Sequence, residues 1–211
     1  MLFRHKGQGE SLTQMENRMR QTALMLITLL VTTMSLPALA TWKLDNSSSL
    51  LSFTSVKKSA IAENHSFAKL EGDIDAKAQV TISVDLASVN TNIAIRDERM
   101  KKFVFETDKY SSANFTTQLD KELLNALKTG QNQQLSLNGT LDFHGLQQAV
   151  TIDVSVVKLS ADKILVNTIK PFFIKADAFS VVAGINKLKE LASLPSINYV
   201  VPVTFSVTFT R

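Results

Sequence analysis

The sequence has no cysteine, and that absence excludes both a disulfide-framed secreted scaffold and a thiolate metal centre. Glycine is scarce as well: seven residues in 211 leave no loop rich enough to cradle a phosphate, and no Gly-x-Ser-x-Gly elbow occurs. Of three histidines only His65 and His144 lie beyond residue 40, and neither has a partner at a recognisable metal spacing. The net charge is +4, from Lys and Arg scattered among Asp and Glu. A nucleic-acid binder would need a concentrated basic face instead. The longest apolar run, Ala23 to Met34, is interrupted by Thr28, Thr32 and Thr33 and followed by Ser35 and Pro37. It falls short of the ~20 apolar residues that span a bilayer.

That run has a different use. Arg18 and Arg20 precede it and Ala38-Leu39-Ala40 close it, which is the order of a cleavable secretory signal peptide over residues 15–40, cut after Ala40. Residues 1–14 then read as an upstream extension, with Met15 or Met19 as the true start. Removing 40 residues from 211 leaves 171, enough for one domain with a substantial core, placed in the periplasm by export.

What is abundant is alternation. Val201, Val203, Phe205, Val207 and Phe209 alternate with Pro202, Thr204, Ser206, Thr208 and Thr210, the period of a half-buried antiparallel strand. The pattern recurs over Val80–Leu86 and Leu135–Phe143, and again over Val150–Val156, joined to the preceding run by a His144-Gly145 turn. Shorter candidates lie at Trp42–Asp45, Leu50–Val56, Ala68–Asp75, Asn114–Leu119 and Ile164–Phe173. Together they make about nine segments, enough to close a barrel and remove its edges, although a sandwich uses similar strands. Three stretches break the rhythm: Asn92–Lys102, Lys121–Lys128 and Ile185–Leu194. They read as short helical connectors or a lid.

Few residues suggest chemistry. His144 sits in a turn, where it stabilises local structure, while His65 can bond either a ligand head or a structural partner. Arg96-Asp97-Glu98-Arg99 with Lys101 and Lys102 is the densest charge; it reads as a solvated helix face or as a basic rim meeting a lipid head. The phenylalanines, eleven of the twelve lying beyond Phe3, fall largely on strand positions. Core packing explains them, and a barrel of about eight strands can also hold one small ligand.

The block Ala87-Ser88-Val89-Asn90-Thr91 … Arg96-Asp97-Glu98-Arg99-Met100 … Phe103-Val104-Phe105 … Lys109-Tyr110 … Phe115 resembles the centre of the YceI-like family. Gly139-Thr140-Leu141-Asp142-Phe143-His144-Gly145 resembles that family's hairpin, and Trp42-x-Leu44-Asp45, Phe53, His65, Phe67, Gly72 and the Val200–Phe209 strand fit in order and spacing. The sequence departs from the family pattern at Ser111, where a proline usually follows the tyrosine, at Arg99 in place of a histidine, and at Ile174-Lys175-Ala176-Asp177. The resemblance implies an all-β, lipocalin-like antiparallel barrel that binds a long apolar lipid, a polyisoprenoid or other long-chain amphiphile, with no cofactor, no metal and no catalysis. Phe53, Phe67, Phe103, Phe105 and Phe115 are then candidates for the channel lining, with His65, Arg96 and Lys101 at its polar end. A solid-filled barrel serving as a structural or stress-related interaction protein is the alternative, and an exported hydrolase the third class.

Overall fold

The computed structural model describes residues 41–211; the signal peptide and upstream extension expected before Thr41 lie outside the described residues. The strands are β1 (Trp42–Lys57), β2 (Ile61–Phe67), β3 (Leu70–Ile74), β4 (Gln79–Asp85), β5 (Val89–Asn90), β6 (Ser112–Gln118), β7 (Asn132–Phe143), β8 (Leu146–Ser160), β9 (Lys163–Thr168), β10 (Phe172–Lys175) and β11 (Val200–Thr210). Eight of them, in the order β1-β3-β4-β6-β7-β8-β9-β11, form an antiparallel ring that β11 closes on β1, from Lys43↔Thr210 to Phe53↔Val203. β2 and β5 continue the sheet beyond the second half of β1, and β10 lies along the start of β11.

The two candidate segments Trp42–Asp45 and Leu50–Val56 are therefore one strand. A register shift between Asp45 and Leu50 bends it, so that its first half pairs with β3 and its second with β2. Side chains satisfy the backbone at the bend: Ser49 Oγ donates to Asp45 O at 2.7 Å, and Thr208 Oγ1 donates to Ser48 O at 3.0 Å. The segment Ile164–Phe173 divides the other way, into β9 and β10, around the exposed Lys170-Pro171 pair.

The expected hairpin is formed. β7 and β8 pair from Asn132↔Val157 to Phe143↔Leu146 across His144 (φ 54°) and Gly145 (φ 74°), both left-handed as a two-residue I′ turn requires. Glycine supplies that conformation freely; His144 is held in it by donating from Nε2 to Glu106 Oε2 at 2.9 Å and by packing 4.3 Å from the Tyr110 ring.

The helices close the two ends. α1 (Ala94–Met100) runs into a π-helical turn, Lys101–Phe105, that ends at Glu106 in the left-handed region. α2 (Lys121–Ala126) is capped by Asp120, whose carboxylate accepts from the Glu122 N–H. α3 (Val182–Leu191) starts three residues before the Ile185 expected from the sequence and packs on the π-helical turn. Two apolar clusters result. One lines the barrel interior around Ile74, Leu137, Ile152, Ile164 and Phe209; the other joins the strand ends to the helices through Phe53, Leu86, Met100, Phe105 and Ile185.

Candidate ligand cavity

A cavity of about 550 Å³ runs through both clusters, within the usual 300–1,000 Å³ of small-molecule sites. Its wall is the period-two face of the barrel strands: Val80, Ile82 and Val84 from β4, Ile164 and Val166 from β9, and alternate residues Val201 to Phe209 of β11. Leu119 and Leu124, flanking and within α2, line the far end. At the other end the lining includes Ile93 just before α1, Ile95 within it, and Ile185 and Leu188 of α3, where Ile95 is 59% exposed and marks the mouth.

Polarity changes along two paired strands. The inward face of β1 reads Leu51, Phe53, Ser55, Lys57 toward the mouth, and that of β2 reads Phe67, His65, Glu63 in the same direction. Each strand thus passes from apolar to charged as it leaves the barrel. Lys57 Nζ lies 2.7 Å from Glu63 Oε2, Arg96 Nη1 donates to the same oxygen at 3.0 Å, and Arg96 Nη2 donates to Thr91 O at 2.7 Å. The hydrogen bond from Lys57, with the charge of Arg96, holds the Glu63 carboxyl below its ordinary pKa. Asp97 accepts from both the backbone N–H and the hydroxyl of buried Thr91, which fixes the start of α1.

His65 is 4% exposed, with Nε2 2.8 Å from Ser55 Oγ and its ring 5.1 Å from that of Phe53. Burial, then the Arg96 charge, lowers its pKa, so the ring is neutral at neutral pH. A serine beside a histidine invites comparison with a nucleophile and its base. A triad needs a third group orienting the other ring nitrogen, and no protein group among the described residues bonds His65 Nδ1. Glu63 and Asp97, the nearby acids, are committed to Lys57, Arg96 and Thr91.

Of the residues singled out in the sequence, Phe53, His65, Phe67, Arg96, Phe105 and Phe115 all line the cavity. Phe53, Phe67 and Phe105 form a continuous aromatic run, with centroids 5.4 and 5.6 Å apart. Lys101 and Phe103 are not among the lining residues, which corrects the expectation for both: Lys101 turns to Glu98 at 3.0 Å, and Phe103 faces Lys102, whose ammonium lies 5.4 Å from its ring centre. The π-helical turn carries them away from the interior. Ser55, Lys57 and Glu63 also line the cavity and were not singled out, and their strand parity relative to Phe53 and His65 is the signal that marks them; Arg99, a member of the charge cluster noted in the sequence, lines it as well.

The YceI-like domain matches residues 42–209, nearly all of the described chain. The chain belongs to the YceI-like family. A polyisoprenoid-binding domain from Saccharophagus degradans, implicated in plant cell wall breakdown, is 37% identical at a TM-score of 0.79, covering 81% of this chain and 98% of its own. BcnA of Burkholderia cenocepacia shares the fold at 20% identity and a TM-score of 0.61, covering 78% of this chain and 98% of its own. The Campylobacter jejuni YCEI protein does so at 19% identity and 0.52, covering 70% and 84%. No curated protein matches the chain. The expected YceI-like barrel is thus the observed one. Among the described residues no helix is long and apolar enough to cross a membrane, and no group of three or more His, Asp or Glu side chains is placed to hold a metal ion.

Proposed function

We propose that this YceI-like protein binds one long apolar chain, of the polyisoprenoid class, along the barrel interior, and that it does so in the periplasm after export. The observation that carries the reading is the cavity itself: an elongated apolar interior of about 550 Å³ that opens beside α1 and α3. The polyisoprenoid-binding description of the 37% identical domain supports the choice of ligand, and the N-terminal pattern ending at Ala40 supports the compartment. Each methylene moved from water into such a wall contributes about 0.8 kcal/mol, so ten supply roughly 8 kcal/mol before ordering costs, without any polar contact.

Titration of an environment-sensitive fluorophore into delipidated protein, followed by displacement with polyprenols of increasing length, tests this directly. One fluorophore per protein is expected, displaced more strongly as the polyprenol lengthens until the cavity is filled. A protein that takes up no fluorophore, or releases it equally to every length, would contradict it.

A further inference from the structure

Among the described residues only two buried side-chain atoms able to hydrogen-bond have no protein partner: His65 Nδ1 and Arg96 Nε. Both belong to residues lining the same end of the same cavity. An unpaired polar atom at such depth costs on the order of 1–3 kcal/mol, so two of them, in two residues that line one end of the cavity of an otherwise well-satisfied structure, point to a missing polar partner there.

The chemistry of that group follows from the donors. Arg96 has its two terminal nitrogens engaged by Glu63 and the Thr91 carbonyl, which fixes the guanidinium and leaves Nε–H as a donor. His65 is neutral and its Nε2 lies 2.8 Å from the Ser55 hydroxyl; in the tautomer in which that hydroxyl donates, the proton stands on Nδ1, a second donor. Arg99 lines the same end, and among the described residues it forms no ion pair. The charged groups facing the site are Lys57, Arg96 and Arg99 against Glu63 and Asp97, an excess of one positive charge. Both acids already accept from protein donors, so few acceptors remain to greet a donor-rich or cationic head.

We propose that the mouth of the cavity is a head-group site for an anionic oxygen, a carboxylate or phosphate at the end of the bound chain, taken by Arg96 Nε and His65 Nδ1 with Arg99 at the rim. The inference rests on the chain-binding reading above and adds a preference that apolar burial alone does not provide. Hydrogen bonds to a charged group in a site shielded from water are worth about tenfold or more in affinity over a neutral head.

The test keeps the chain constant and changes the head. Oleate, oleyl phosphate, oleyl alcohol and oleylamine, each below its micelle concentration, compete for the fluorophore on the wild-type protein. Oleate and oleyl phosphate are expected to bind at least about tenfold more tightly than the alcohol, with the amine weakest; their relative order shows which anion fits better. In Arg96→Gln, with the fold checked by circular dichroism, the ratio of anion to alcohol affinity should fall to near one. If Arg96→Gln does not fold, His65→Gln and the wild-type series decide. Equal binding of all four heads, tighter binding of alcohol or amine, or an anion preference that survives in the folded variants would overturn the head-group site while leaving chain binding intact. Failure of every oleyl compound and polyprenol to bind would instead overturn the chain-binding reading.

Discussion

His65 owes its neutral state to its position on the inward face of β2, behind Phe53 and beneath the Arg96 charge. An imidazole whose pKa is lower folded than unfolded binds fewer protons when folded. Stability then rises with pH between the two values and levels off above the unfolded one, about 6.5. Glu63, whose folded pKa is also depressed, stabilises above its unfolded value and loses that contribution only as pH falls from about 4.5 through the folded value. Between about pH 5 and 6.5 the histidine term therefore stands apart from that carboxylate. Thermal unfolding of the wild type should show a midpoint that falls as pH drops through this window, and His65→Leu should show a shallower fall. An identical slope in the variant would mean that His65 titrates as freely folded as unfolded. Arg96 makes the complementary point: its residue type and helical position were readable, whereas the uncommitted Nε follows from Glu63 and Thr91 converging on its other nitrogens, a tertiary fact.

At the scale of elements, α3 approaches the π-helical turn so closely that a Cβ added at Gly184 would collide with the Phe103 carbonyl oxygen. In an exposed helix interior, Gly→Ala stabilises by roughly 0.5–1 kcal/mol. Here the sign reverses, because backbone must move. Gly184→Ala should lower the unfolding free energy measured by urea denaturation by an amount on the order of 1–3 kcal/mol and weaken chain binding by loosening the mouth. A neutral or stabilising result would show that α3 is not held against the turn.

The strands differ in how plainly they can be read. β7, β8 and β11 advertise themselves because one face meets the core and the other water. β2 does not: Ile61-Ala-Glu-Asn-His-Ser-Phe carries its polar residues on the inward face as well, because that face lines the charged end of the cavity. The feature that hid the strand is the feature that makes the site. The break of Ile164–Phe173 and the continuity of β1 were hidden for another reason, since a bulge and a partner change are decided by which strands meet rather than by local periodicity.

At the scale of the whole molecule, alternation anticipated antiparallel strands that suit a barrel or a sandwich, the family resemblance implied the barrel, and closure by β11 on β1 realises it. Whether such a barrel is hollow was not legible, because inward-facing Phe, Val and Ile are needed in either case. Hollowness depends on how far the strands stand apart, which only their pairing and tilt determine. Ala113 is the place to probe it, since this small residue lines the cavity and packs against both apolar clusters. In a hollow barrel Ala113→Phe fills space and leaves the fold intact; in a solid one it overpacks the core.

The most direct measurement is native mass spectrometry of the full chain expressed in a Gram-negative host and recovered from the periplasmic fraction, alongside Ala113→Phe prepared identically. The wild type should carry one long-chain lipid on a polypeptide beginning at Thr41, and the folded variant should have the same polypeptide mass without the lipid. A wild-type protein that is uniformly lipid-free, and takes up no polyprenol when one is added, would contradict the account.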